Sequence, residues 1–202
     1  MNLLIISGSQ RTNSQSAKVA QFIADNSVDF AHASHIELCR FDLPFWDGEE
    51  ETKSHGNNAW PMIGHKLRKA DALVLITPEW GGMATPILKN FLLMCDQAET
   101  AHKPALLVSV VGGISGAYPI AELRMNALKN NKIVATPDHL IIRNVEQVLN
   151  KDQAESTRDN SLRERIAYSL YMLHEYALAL KNVRLNHESQ RYPKQQEYNY
   201  GM

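Results

Sequence analysis

Ser7-Gly8-Ser9-Gln10-Arg11-Thr12-Asn13-Ser14-Gln15-Ser16 gathers hydroxyls, one guanidinium and a glycine into one short stretch. A phosphate monoester needs several donors converging on its terminal oxygens. Here Ser9, Thr12, Ser14 and Ser16 offer hydroxyls and Arg11 a cation, and a helix starting near Ser14 offers free N–H groups and a favourable dipole. Gly8 lets the backbone turn sharply and approach a ligand. The spacing is neither G-x-x-x-x-G-K-[ST] nor G-x-G-x-x-G, which disfavours nucleoside-triphosphate and dinucleotide phosphate loops. A competing local reading has Ser14 or Ser16 capping a helix while Arg11 is merely solvated.

Two further stretches carry unusual composition. Thr77-Pro78-Glu79-Trp80-Gly81-Gly82-Met83-Ala84-Thr85-Pro86 places two glycines beside a planar indole. Its amide N–H groups suit the polar edge of a flavin, where negative charge develops on reduction. Ordinary packing under a loop is the alternative for Trp80. Gly112-Gly113-Ile114-Ser115-Gly116-Ala117-Tyr118 holds three glycines. Such a turn is weak by itself, and beside the other two it forms the opposite wall of one crevice.

The elements that must position these stretches follow from the apolar pattern. Leu3–Ile6, Ala72–Thr77 and Ala105–Val111 are apolar runs of strand length, as expected in a sheet buried on both faces. Weaker strands are expected near 36–41 and over 133–142. Helices are expected over 14–26, 61–70, 87–96, 118–130 and 161–182. In the third of these Ile87, Leu88, Phe91, Leu92 and Cys95 share one arc and Leu93 points elsewhere; in the last, Leu162, Ile166, Leu170, Leu173, Ala177 and Leu180 form a stripe. A polar, acidic loop is expected over 47–58. Alternating strands and helices indicate an α/β fold with a parallel sheet and right-handed crossovers. Ligands then sit beyond the carboxyl ends of the strands, where strand order reverses. The three unusual stretches all fall there.

The chain has 202 residues and a formal net charge of −1. Without a basic excess nucleic acid is disfavoured as a partner, and the near balance argues against a strongly acidic electron carrier. Cys39 and Cys95 form no C-x-x-C and read as reduced thiols of a cytoplasmic protein. The apolar start stops at Ser7-Gly8-Ser9 with no basic region before it, and no apolar stretch reaches membrane-spanning length. Residues 1–182 are expected to form one domain and 183–202 a polar tail without fixed structure, the alternative being that Tyr192, Tyr198 and Tyr200 pack on a neighbouring subunit.

These residues resemble the NADPH-dependent FMN reductase family. Gly8-Ser9-Gln10-Arg11-Thr12-Asn13-Ser14 is similar to its G-S-x-R-x-x-S loop, and Thr77-Pro78-Glu79-Trp80 through Leu88-Lys89-Asn90 to its T-P-E-Y…L-K-N stretch. Gly112-Gly113 followed by Leu123-Arg124 is similar to its G-G…L-R spacing. The resemblance implies a flavodoxin-like, doubly wound five-stranded parallel sheet with helices on both faces. It implies FMN as cofactor, with Ser9, Arg11, Ser14 and Ser16 at the phosphate. Pro78, Glu79, Trp80 and Gly81 would border the ring, and Gly112 and Gly113 would pass close to it. It also implies NADPH or NADH as co-substrate, a small acceptor such as a flavin or quinone, and a homodimer or homotetramer with Leu93 and Met94 at contacts. Trp80, Gly81, Met83 and Tyr118 depart from the pattern, which leaves backbone contacts in place and removes side-chain hydrogen bonds near the ring. Hydride chemistry on a flavin needs little acid–base machinery from the protein, so no catalytic acid or base is nominated. No metal site is expected, His32 and His35 having no acidic neighbours. A non-enzymatic electron carrier and a flavin-less binding module on the same fold are the alternatives; direct NADPH oxidation separates the first from an enzyme.

Overall fold

The computed structural model describes residues 1–54, 56–189, 192–195 and 197–198. Five strands, β1 (Asn2–Ser7), β2 (His32–Glu37), β3 (Ala72–Pro78), β4 (Pro104–Val110) and β5 (Val134–Ile142), form one sheet in the order β2-β1-β3-β4-β5. Every neighbouring pair is parallel. This is the flavodoxin-like, doubly wound order, and strand order reverses between β1 and β3.

Alternate residues of the central strands enter opposite cores. Leu3, Ile5, Val74, Ile76, Leu106 and Val108 pack under α1 (Gln15–Asp25) and α6 (Thr157–Ser189). Leu4, Ile6, Leu73, Leu75, Ala105 and Leu107 pack under α2 (Trp60–Lys69), α3 (Pro86–Met94) and α5 (Ala117–Asn126). Burial on both faces is why these strands read as continuous apolar runs. Among the described residues no helix is long and apolar enough to cross a membrane.

The structure departs from the sequence expectations in four places. The second strand occupies His32–Glu37 rather than 36–41, and Leu38–Arg40 forms a 3₁₀ turn. β2 is an edge strand with a single partner, so polar His32, Ser34 and His35 are tolerated where a central strand would need apolar side chains. The helix expected over 118–130 stops at Asn126, after which the buried Asn131 amide donates to Ala127 O and Leu92 O. Residues 97–100 form a separate one-turn helix, α4 (Gln97–Thr100), with a capping box between Asp96 and Glu99.

The final helix is longer at both ends than 161–182. Residues 184–189, expected in a structureless tail, are helical, and Arg184 pairs with Asp71 at 3.2 Å. Tyr198 accepts from Lys132 through its carbonyl, while Tyr200 lies outside the described residues. At the other end the buried Asp159 carboxylate accepts from Leu149 N (3.0 Å), Glu155 N (3.2 Å) and Arg163 (3.3 Å). It thereby fastens the segment after β5 to the start of α6.

Burial pushes the Asp159 carboxyl upward, and the Leu149 N–H, the Arg163 guanidinium and the Glu155 N–H outweigh it, holding it below the usual carboxylate range. A depressed folded-state value stabilises the fold above the unfolded value of about pH 4, and the contribution is lost as pH falls through the folded one. Asp159→Asn is therefore expected to cost about 1–2 kcal/mol at pH 7, with the gap narrowing as the pH is lowered below the unfolded value of about 4. Urea unfolding at a series of pH values measures this, and a gap independent of pH would contradict it.

Candidate functional site

The loop after β1 is shaped by its own polar groups. Ser14 is the N-cap of α1, its hydroxyl oxygen accepting from Ala17 N at 3.1 Å. Ser9 accepts from Arg11 N at 3.2 Å. Each hydroxyl spends a lone pair on the backbone and keeps its proton to donate, so capping and anion binding are compatible roles. Among the described residues the buried Ser16 Oγ has no hydrogen-bond partner, and the N–H groups of Gln15 and Ser16 lie ahead of any intrahelical acceptor. An unpaired buried hydroxyl is costly unless something meets it. Beside free amides at a positive helix end, an anion meets that need.

The loop after β3 is stitched to the first at Gly8. Gly8 N donates to Ile76 O at 2.8 Å, and Thr85 Oγ1 donates to Gly8 O. Thr85 N in turn donates to Thr77 Oγ1 at 3.1 Å. Trp80 and Met83 exchange backbone hydrogen bonds (3.2 and 3.0 Å) around Gly81 and Gly82, with φ of +57° and +78°. Two positive φ values in a two-residue reversal are the type I′ geometry, which non-glycine residues adopt only with strain. The glycines thus serve the turn that presents Trp80. The N–H groups of Trp80, Met83, Ala84 and Thr85 are engaged inside the protein, Ala84 N by Glu122 at 2.7 Å. Those of Gly81 and Gly82 have no protein acceptor among the described residues.

Glu122 was not singled out from the sequence, yet it also receives Lys89 at 2.9 Å and so ties α5 to the end of this turn and to α3. Burial pushes its carboxyl up, but Lys89 and the Ala84 N–H prevail and hold it below the usual range.

The third loop reaches the second through Glu79. Glu79 N donates to Val110 O at 3.1 Å and its carboxylate accepts from Ser115, while Oε1 is buried without a partner. Gly112 and Gly113 are exposed with open space where a Cβ would stand. Gly116 carries φ +103°, and a Cβ there would stand 2.5 Å from Ile141 Cγ2, so glycine serves the close approach to β5. Tyr118, 70% exposed, has its ring 3.8 Å from where a Gly82 Cβ would stand, across the gap between the second and third loops.

Arg11 and Trp80, nominated separately for the two ends of a ligand, lie together. The guanidinium stands 5.1 Å from the indole centroid. Ser9, Arg11, Ser14, Glu79, Trp80, Gly81, Gly112 and Gly113 fall in the loops after β1, β3 and β4, with Ser16 in the first turn of α1 and Pro78 the last residue of β3. By contrast Met94 is fully buried in this chain's own core, leaving Leu93, 62% exposed, as the apolar surface residue of α3.

A cavity of about 710 Å³ lies at the opposite, amino-terminal ends of the strands, lined by Asp71, His102, Lys103, Arg184 and His187 among others. None of the nominated residues borders it. Lys103, lowered to about 8 by burial, donates to the Leu67 and Arg68 carbonyls at the end of α2. It acts there as a helix cap.

Residues 1–147 match the family model described as NADPH-dependent FMN reductase. The chain is 33% identical over 116 residues to an NADPH azoreductase of Bacillus sp. (strain OY1-2), covering 57% of this chain and 62% of the relative. It is 26% identical over 121 residues to a quinone reductase of Pseudomonas putida, covering 58% of this chain and 63% of that protein. Both alignments thus span less than two thirds of the relative. An FMN-dependent NADPH-azoreductase of Staphylococcus aureus (strain USA300) is 26% identical over 168 residues, covering 82% and 89%. Among solved structures, an oxidoreductase from Corynebacterium diphtheriae superimposes with a TM-score of 0.66 at 17% identity, covering 88% of this chain and 97% of that one. A flavoenzyme NAD(P)H:(acceptor) oxidoreductase from Paracoccus denitrificans superimposes at 0.64 and 18% identity, with the same coverage. At these identities the structures speak to the fold.

Proposed function

Because this chain belongs to the NADPH-dependent FMN reductase family, we propose that it holds FMN in the crevice between the loops after β1, β3 and β4 and works as an NAD(P)H-dependent reductase of a small organic acceptor, of the quinone or azo type named for its relatives. The observation that carries this reading is the contact between Arg11 and Trp80, which joins an anion socket and a flat-ring slot into one site at the β1/β3 reversal.

The unpaired Ser16 hydroxyl, the free amides at the start of α1 and the uncommitted Arg11 fork fit a phosphate monoester. Ser9 and Ser14 would donate their remaining protons to the same group. Pro78, Glu79, Trp80 and Gly81 on one side, with Gly112 and Gly113 on the other, would border the ring. When bound, FMN supplies the redox chemistry, accepting hydride from the nicotinamide and passing electrons to the acceptor.

The chain's own part is positional. Trp80 offers a planar wall held by the type I′ turn. Glu79, bridging to Ser115 and Val110, keeps the second and third loops at a fixed separation. The Gly81 and Gly82 amides supply donors at the turn. Assembly as a homo-oligomer belongs to the same reading, with exposed Leu93 on α3 as the contact residue.

The test is the visible spectrum of the purified, FMN-loaded protein before and after anaerobic NADPH. Oxidised flavin bands that bleach on addition are expected. A chain that fails to retain FMN, or whose bands persist until a separate reductase is added, would refute the enzyme reading, the second result favouring an electron carrier.

A further inference from the structure

The rim of the crevice beyond the third loop carries cations that the proposed flavin site leaves unused. Arg143 directly follows β5, and its Nε donates to Ser115 O at 2.8 Å. Among the described residues neither of its terminal nitrogens donates a hydrogen bond, and the residue is exposed. Arg158, in the first turn of α6, donates to Arg143 O. It also faces the Asn144 side-chain oxygen at 3.1 and 3.3 Å, while the Asn144 amide nitrogen donates to Gly112 O at 3.2 Å. The backbone of Asn144, at φ +45°, donates to Gly113 O at 3.1 Å. Arg143 is therefore held at its Nε by Ser115 of the third loop and at its own carbonyl by Arg158 of α6.

These arginines differ from most others in the chain. Arg40, Arg68, Arg163, Arg165 and Arg184 each lie within 3.3 Å of a carboxylate oxygen. Among the described residues neither Arg143 nor Arg158 has such a partner. Of the nearby acidic groups, Glu79 is turned to Ser115 and the charge of Glu146 acts on Lys18. The positive end of α6 adds to the same field. A guanidinium anchored by one nitrogen, with its two outer nitrogens toward solvent, is a preorganised fork for a phosphate.

We propose that Arg143, steadied by Arg158 and Asn144, receives the 2′-phosphate of the nicotinamide nucleotide and makes NADPH the preferred hydride donor. The inference rests on reading the crevice as an FMN site served by NAD(P)H, whose adenosine half would have to lie outside the flavin slot, and Arg143 stands on the rim beside Ser115 of the third loop. An arginine near the adenosine ribose is the general means by which proteins accept that phosphate.

The test is calorimetric titration of the FMN-loaded protein with adenosine 2′,5′-bisphosphate, using adenosine 5′-monophosphate as the probe lacking the 2′-phosphate. The parent chain is expected to bind the bisphosphate at least about 10-fold more tightly. Arg143→Ala should erase that gap and Arg143→Lys should retain part of it, because charge survives without the fork. In steady-state assays the NADPH-over-NADH ratio of kcat/KM should fall roughly 10- to 30-fold in Arg143→Ala, through KM for NADPH rather than kcat. Equal affinity for the two probes in the parent chain, or a preference that survives Arg143→Ala, overturns the assignment. If the probes discriminate as expected while neither nucleotide bleaches the flavin, the phosphate site stands and the reductase reading falls. If NADPH bleaches the flavin and Arg143→Ala leaves the ratio unchanged, the reverse holds.

Discussion

Arg11→Ala is expected to weaken FMN binding by roughly 30- to 100-fold while leaving the unfolding midpoint of the cofactor-free chain within about 3 °C of the parent. The two readouts separate because Arg11 has little to do for the fold. Its side chain is exposed and its guanidinium rests on the Trp80 face, a contact worth about 0.5–1 kcal/mol at such a site. A phosphate would instead draw charge-assisted hydrogen bonds from that fork, worth about 2–3 kcal/mol. Arg11→Lys should fall between, retaining charge without bidentate geometry. Flavin affinity is read by fluorescence quenching on titration with FMN, and equal affinity in parent and variant would remove Arg11 from the site.

Gly8→Ala is expected to lower the melting temperature by roughly 5–10 °C and to loosen FMN as well. A Cβ at this position would stand 2.7 Å from Leu88 Cβ and 3.1 Å from Ile76 O. Leu88 is fully buried, and its Cβ is fixed to the α3 backbone, so no rotamer change relieves the contact. Helix α3 or the loop must move instead, which overpacking studies place at about 1–3 kcal/mol. The displacement also strains the Ile76 and Thr85 hydrogen bonds that join the first two loops. Adding Leu88→Ala should not restore stability, since alanine keeps the offending Cβ. An unchanged melting temperature would show that the close approach of β1 and α3 is not needed.

What could be read in the sequence follows from where each element sits. β1, β3 and β4 are covered on both faces, so their apolar runs announce them, and Ser14 marks the start of α1 because its side chain does the capping itself. β2 escaped because an edge strand carries His-Ala-Ser-His without penalty. The last turns of α6 escaped for a different reason. Past Ala177 the helix carries few buried side chains, so no apolar period shows there, and Arg184 is held by Asp71 from a distant part of the chain.

The same division runs through the site. Ser9, Arg11, Ser14 and Ser16 are neighbours in sequence and could be grouped by inspection. The partnership of Glu79 with Ser115 depends on β4 lying next to β3, and the place of Arg143 beside Ser115 on β5 lying next to β4. Only the pairing of strands far apart in sequence supplies that, and local patterning is silent about it. Glu122 belongs with these, since its two partners, Ala84 and Lys89, come from the preceding helix and its approach.

The crevice opens where β1 meets β3, segments separated by two crossovers. No local piece of the chain can assemble it, so whatever occupies the crevice recognises only molecules whose long-range strand alignment is complete. Occupancy at a hundred times the dissociation constant would then deepen the native basin by about 2.7 kcal/mol for the sheet as a whole. Vitamin supply and protein lifetime become linked quantities, with a starved chain the readier prey for proteases.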